Sequence, residues 1–334
     1  MTVKLWSLQI LRFFAALGVV SAHALWFARN ATGQESVLFD LGNAIGQAGV
    51  DVFFVLSGVI IATIAPGMRP RDFAFKRLRR IYPIYLVLVV PWLAIAAWSG
   101  ALHWRGLLST LTLWPVTDRI TDPASPVAWT LCFEMLFYAC ATAVLWRRWM
   151  LIVLLAAYMV ALFAPISALL QFGGSPLCLE FLAGVALAQL PRRRWMRLAL
   201  PLGLALLVAC AFLPIRPQDA QLVVTDVRDQ WLRVAAWGAP AALIVWGTLQ
   251  FDAKPGLLSY LGDASYSLYL CHPLILMLWI VGLAKLLPAV PPDLLSTSGI
   301  VLCVLASWRI HEAIEKPLLN AFRPGPPKEV LASA

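Results

Sequence analysis

The stretch Trp6-Ser7-Leu8-Gln9-Ile10-Leu11-Arg12-Phe13-Phe14-Ala15-Ala16-Leu17-Gly18-Val19-Val20-Ser21-Ala22-His23-Ala24-Leu25-Trp26-Phe27-Ala28 decides the fold class. A helix of about 20 apolar residues crosses a hydrocarbon core of about 30 Å, and this run is long enough. Only Lys4 precedes it and no small-residue cleavage site ends it, so it reads as a retained first helix and not a cleaved signal peptide. Its two unusual residues, Arg12 and His23, stand 11 positions apart. At about 100° and 1.5 Å per residue they lie about 20° apart on one helix face and roughly 16 Å apart along it.

Outward from this run the same pattern recurs. The chain has 334 residues, 61% hydrophobic and 13% charged, with a mean hydropathy of +0.80. Soluble domains hold about 45–50% apolar and about 25% charged residues, which excludes an ordinary soluble enzyme. Ten apolar windows are expected to span, near 6–28, 42–66, 81–100, 127–146, 149–170, 174–190, 196–213, 231–249, 258–282 and 293–315. With the N-terminus inside, 17 Lys and Arg residues fall on the cytoplasmic side and seven outside, so both termini are expected in the cytoplasm. The expected architecture is an all-α polytopic bundle of about ten transmembrane helices over 1–320, followed by a Pro-rich cytoplasmic tail, 321–334, expected to be disordered. The net charge of +9 then belongs to loops beside anionic lipid and not to a nucleic-acid surface.

Loops at about 29–41, 101–126 and 214–230 carry Glu35, Asp40, Asp118, Asp122, Asp219, Asp226 and Asp229 and are expected to form the external face. The six cysteines all sit in apolar segments without CxxC or paired Cys/His spacing, so neither a disulfide framework nor a metal site is expected. Most of the 15 tryptophans suit interfacial belts, although Trp104, Trp114 and Trp129 lie where they would stack on sugar rings.

Ionisable residues inside spans are costly and default to functional candidates; here they are Arg12, His23, Asp51, Glu134, Glu180, His272 and Arg309. Counted from the outer end of each span, His23, Asp51 and Glu134 lie roughly 8, 13 and 10 Å deep, which predicts that they meet in the outer half of the bundle. A carboxylate that orients an imidazole makes a general base for a hydroxyl. The alternatives are that His23 hydrogen-bonds neighbouring helices and that the two acids make structural polar contacts. Glu180 and His272 are expected to line the same outer cavity or to serve packing, His272 relieving the helix break at Pro273. Arg309 and Glu312 are expected to pair at i,i+3 as a structural feature.

Between the second and third spans runs Arg69-Pro70-Arg71-Asp72-Phe73-Ala74-Phe75-Lys76-Arg77-Leu78-Arg79-Arg80-Ile81-Tyr82-Pro83. It either sets topology or clamps an anion, since Arg77 and Arg80 are neighbours on a helical turn and Arg grips phosphate bidentately. With Arg12 extending the cationic surface inwards, the pattern suits a long ligand with phosphates at the cytoplasmic mouth and a reactive end near His23. The roughly 16 Å between Arg12 and His23 is a reach a pantetheine arm covers.

Five motifs in order resemble the acyltransferase-3 family of integral membrane acyltransferases, which modify extracytoplasmic or envelope glycans. They are Arg12 followed after ten residues by His23; Gly49-Val50-Asp51-Val52-Phe53-Phe54-Val55-Leu56-Ser57-Gly58; Arg77-Leu78-Arg79-Arg80-Ile81-Tyr82-Pro83; Trp129-Thr130-Leu131-Cys132-Phe133-Glu134; and Ser265-Tyr266-Ser267-Leu268-Tyr269-Leu270-Cys271-His272. The resemblance covers nearly the whole length, to Glu315-Lys316-Pro317. It implies a catalytic His23 and donor handling by Arg12, Arg77 and Arg80. Asp51 or Glu134 is expected to support the imidazole, and Tyr82 to join the donor-binding residues. Glu180, Trp129 and His272 are expected to line the acceptor cavity. Thr130 stands where Ser is more usual, and Asp263 where a basic or neutral residue is commoner. The chain ends soon after its last span, so no SGNH-type extracytoplasmic domain is expected.

The expected activity is therefore O-acyl transfer, of acetyl in the first instance, from cytoplasmic acyl-CoA to a hydroxyl of an exopolysaccharide, lipopolysaccharide or lipid-linked glycan at a bacterial inner membrane. Acetyl-CoA is expected as co-substrate, with no permanently bound cofactor, and lipid, polysaccharide-assembly proteins or a second copy as partners. Two other classes share some of these features: a secondary transporter of a sugar or anionic metabolite, and a lipid-linked-sugar glycosyltransferase using Asp226 and Asp229.

Overall fold

The computed structural model describes residues 5–34, 36, 39–115, 123–164, 167–212 and 227–322, and every regular element among them is helical. Glu35, Asp118, Asp122, Asp219, Asp226 and the tail beyond Phe322 lie outside the described residues. In chain order come α1 (Trp6–Thr32), α2 (Phe39–Ile64), α3 (Pro70–Trp98), α4 (Trp104–Thr112), α5 (Trp129–Trp146), α6 (Met150–Phe163), α7 (Ala168–Gly173) and α8 (Cys178–Leu187). A 3₁₀ turn (Arg194–Leu198) opens α9 (Ala199–Ala211). Three π-turns then follow. The first, Val234–Gly238, joins α10 (Val227–Arg233) to α11 (Ala239–Thr248). After α12 (Leu257–Asp263), the second, Met277–Val281, joins α13 (Ser265–Leu276) to α14 (Gly282–Leu286). The third, His311–Glu315, joins α15 (Pro292–Ile310) to α16 (Lys316–Ala321).

Eight described helical stretches are long and apolar enough to cross a membrane, against the ten expected. The window at 149–170 yields α6, whose 14 residues span about 21 Å. The window at 231–249 is the α10–α11 helix, in which Arg228, Asp229 and Arg233 dilute the apolar run. The expected span 258–282 starts instead at Ser265, because Ala264 interrupts the helix after α12. Trp98, Trp146, Trp149 and Trp195 stand exposed at helix ends, as an interfacial belt requires.

The segment 101–126, expected as an outer loop, carries α4 back along α3. Tyr85 and Tyr82 donate to the carbonyls of Thr110 and Thr112, each at 2.7 Å, although both tyrosines lie three to four turns before the end of α3. Leu113, just after α4, and Val127, Ala128 and Trp129, at the start of α5, are buried. Helix α5 therefore begins within the bundle and not at its surface, which shifts the depth of everything it carries.

Close helix approach replaces a hydrophobic drive inside lipid, and small residues permit it. Gly18, Gly46 and Gly49 let α1 and α2 meet backbone to backbone, while Gly58 and Gly184 do the same for α2 and α8. A Cβ on Gly58 would collide with the Phe181 carbonyl, whereas one on Gly282 meets nothing within 4 Å. Gly58→Ala is therefore expected to cost about 1–3 kcal/mol through overpacking, and Gly282→Ala nothing. Thermal unfolding of the two variants in detergent, read from tryptophan emission, checks this.

Candidate active site

A cavity of about 680 Å³ opens at the basic end of the bundle, where α1, α2, α3, α5, α13 and the α15–α16 helix converge. Its wall carries Arg12, Lys76, Arg77, Arg79, Arg80 and Lys316 against the acids Glu134 and Asp263. The volume lies within the range of pockets that hold small molecules, and its charge favours an anion.

These cations differ in how committed they are. Arg80 donates to Glu315 at 2.6 Å and lies over the Tyr266 ring at 5.6 Å. Arg79 donates to the Phe322 carbonyl at 2.9 Å. Arg12 reaches only Gln9 Oε1, at 3.5 Å, and forms no ion pair with any carboxylate of the described residues. Arg77 stacks over Phe73 and Tyr138 at 5.8 and 5.7 Å and leaves its buried Nε without a hydrogen-bond acceptor. Two guanidinium groups thus face the cavity with donor capacity unused.

Deeper in, Glu134 accepts from Tyr138 and, at 3.4 Å, from Ser57, and all three line the cavity. Phe53, Thr130 and Tyr269 form a further part of its wall. The Tyr269 hydroxyl bonds Thr130 Oγ1 at 2.9 Å, and its ring meets Phe53 edge-on at 6.0 Å.

Behind this wall lies a histidine pair. The Tyr269 ring centroid is 5.8 Å from that of His272, whose Nε2 is 3.1 Å from His23 Nδ1. The backbone fixes both tautomers. His272 Nδ1 lies 3.2 Å from the Leu268 carbonyl, which only accepts, so Nδ1 carries the proton and Nε2 offers a lone pair. His23 Nδ1 likewise lies 3.0 Å from the Val19 carbonyl, so it donates there and to His272. In the neutral pair His23 Nε2 is left unprotonated, the state a general base needs.

The expected meeting of His23 with Asp51 and Glu134 does not occur. Asp51 is fully buried and gives both oxygens to Arg233, at 3.1 and 2.8 Å. Arg233 is itself buried and stacked over Trp237 and Trp129 at 4.9 and 5.9 Å. Glu180 interacts electrostatically with this pair, and Gly238 in the π-turn leaves room for its carboxyl. Glu134 faces the cavity because α5 starts inside the bundle, so its depth was counted from the wrong reference level. Trp129 packs on Phe54 and Phe133 in the core, and neither it nor Glu180 nor His272 lines the cavity. Tyr82 also lies outside the cavity wall, its hydroxyl spent on α4. Glu312 pairs with Lys316 and Tyr260, and Arg309 lies over Trp308, so those two do not form the expected i,i+3 pair.

Sequence reasoning also passed over three residues. Arg233 looked like an external charge at the edge of an apolar window. His311 and Glu315, spaced i,i+4 on one helix face, were the missed signal at the basic end. All six cysteines are free, and no group of residues able to hold a metal occurs among the described residues.

A family model described as an acyltransferase domain matches residues 5–312. The exopolysaccharide production protein ExoZ of Rhizobium meliloti (strain 1021) is 30% identical over 306 residues, covering 84% of this chain and 91% of the relative. The acyltransferase MdmB of Streptomyces mycarofaciens is 28% identical over 383 residues, covering 96% of this chain and 94% of the relative. No solved structure matches the chain. With the family model spanning almost all of a helical bundle whose cationic cavity leads towards a histidine pair, the chain belongs to the acyltransferase-3 family and is a polytopic membrane acyltransferase.

Proposed function

We propose that the protein transfers an acyl group, acetyl in the first instance, from acyl-CoA to a hydroxyl of an envelope or exported glycan. The observation that carries this reading is the joint placement of Arg12 and His23 on α1: Arg12 faces the cavity, and His23 lies behind its inner wall with an unprotonated Nε2. Phosphates of the donor meet Arg12, Arg77 and Arg80, and the pantetheine arm runs inwards towards the Phe53–Tyr269 wall. His23 Nε2 takes the proton of the acceptor hydroxyl as its oxygen attacks the thioester carbonyl. The C–S bond then breaks, and the proton leaves with the coenzyme thiol. Nδ1 keeps its proton throughout, because Val19 and His272 both accept from it. An acyl-histidine relay uses the same lone pair. Exopolysaccharide is the acceptor class suggested by the name of the Rhizobium relative, and a bacterial inner membrane is the location proposed with it.

The test is acylation of an envelope-glycan extract by purified protein in lipid with radiolabelled acetyl-CoA. Arg77→Ala is expected to raise the donor KM about tenfold with kcat little changed, since it removes donor-phosphate contacts distant from the reacting atoms. A fall in kcat at unchanged KM would remove Arg77 from donor binding. Failure of the wild type to consume acetyl-CoA with any glycan would refute the donor assignment.

A further inference from the structure

The basic end of the cavity contains a histidine that the reaction above does not use. His311, on the π-turn after α15, is buried and lines the cavity, yet its Nε2 has no hydrogen-bond partner. Its other nitrogen is fixed: Nδ1–H donates to Glu315 Oε2 at 2.7 Å. Glu315 is in turn held by Ser267, at 2.7 Å on the same oxygen, and by Arg80, at 2.6 Å on the other. A π-turn is a local distortion that helices use to aim side chains, and here it sets His311 and Glu315 together. The result is an oriented imidazole with one satisfied face and one vacant face.

The charges around it decide what the vacant face takes. On its own helix, Glu312 is occupied by Lys316 and Tyr260. From α12, the Tyr260 ring lies 6.3 Å away between centroids, and Asp263 borders the same cavity. From α13, Tyr266 lies under Arg80. From α3 come Lys76, Arg77 and Arg79, from α1 Arg12, and from α5 Glu134 with Tyr138. Glu315 faces Arg80 at 2.6 Å and His311 at 2.7 Å, so with a proton on His311 Nε2 one carboxylate serves two cations, on a wall already rich in positive charge. An incoming anion offsets that charge and accepts the new N–H.

We propose that His311 is a phosphate-binding residue of the donor site, protonated from solvent at Nε2 as a phosphate oxygen of the coenzyme arrives. This rests on the acyl-CoA reading given above. The balance is simple: one N–H bond forms on His311, solvent supplies the proton, and Nδ1–H stays on Glu315.

Isothermal titration of coenzyme A into the full-length protein in lipid nanodiscs, near neutral pH in two buffers of different ionisation heat, tests it. Wild type is expected to take up a larger fraction of a proton than His311→Gln or His311→Asn, and to bind about tenfold more tightly, the worth of one charge-assisted hydrogen bond. Pantetheine, which lacks the phosphates, is expected to bind wild type and variants alike. Comparing variants with wild type cancels the ionisation of the coenzyme itself. If wild type binds coenzyme A but the variants match it in affinity and proton uptake, the role of His311 is refuted while the donor site stands. If pantetheine shows the same loss, the group on Nε2 is not phosphate and the inference fails. No binding of coenzyme A by wild type overturns the donor reading and this inference with it. Should neither variant fold, an absence of proton uptake by wild type still overturns it.

Discussion

With His23 replaced by Ala, acyl transfer is expected to fall by about 10²–10⁴-fold while the protein stays folded and still binds coenzyme A. That range is what a positioned general base contributes. The protein survives because His23 is only partly buried and its bonds to Val19 and His272 are local to two helices. His272→Gln should cost less, about tenfold, because Val19 still holds His23 Nδ1–H in the required tautomer. The order of the two effects identifies which imidazole meets the acceptor. A larger loss at His272 than at His23 would reverse the assignment. Full activity in His23→Ala would make the pair a packing feature. Single-turnover transfer from labelled acetyl-CoA separates these outcomes from changes in donor affinity.

The second large effect concerns stability. Arg233→Met leaves Asp51 buried without its cation, with the Glu180 carboxyl beside it. Removing one partner of a buried ion pair costs about 3–5 kcal/mol, because the remaining charge has lost both water and counter-ion. Arg233→Met should therefore unfold far below wild type in detergent. The double substitution Arg233→Met with Asp51→Leu should recover most of the loss, since an apolar pair of similar volume needs no compensation. Thermal unfolding of the single and double variants checks both statements. If the single substitution leaves stability untouched but abolishes acyl transfer, Asp51 and Arg233 belong to the acceptor site.

Much of the fold was legible because membrane spans announce themselves by length and apolarity. The first helix and the basic segment 69–83 follow from one-dimensional patterns, whereas of the six cysteines in apolar segments only Cys132, Cys271 and Cys303 are buried. What the sequence hides is azimuth and reference level. Depth along a helix can be counted, but not the direction in which Asp51 points, and it points to Arg233 instead of His23. The level of Glu134 depended on where α5 begins, which is set by the return of α4 along α3, a contact between residues 25 and 30 positions apart. That Arg12, Arg77 and Arg80 gather at one cavity was readable, because local charge density survives folding. Tyr82 was not, because a hydroxyl inside a basic motif gives no sign of which neighbour will accept from it.

The wall of Phe53, Tyr269 and Thr130 has a consequence for the cell's energetics. A bundle with a polar chamber on one side and titratable imidazoles behind it would, if continuous, short-circuit the proton gradient of the membrane that houses it. Aromatic rings packed edge-on, with the Tyr269 hydroxyl committed to Thr130, act as an insulator across that route. A slender, uncharged arm can push between rings, whereas a hydrated ion would have to shed its water to follow. On the transfer proposed above, the protein is in this respect built as a sealed feed-through: the acyl group would pass from one compartment to the other while the voltage across the membrane holds.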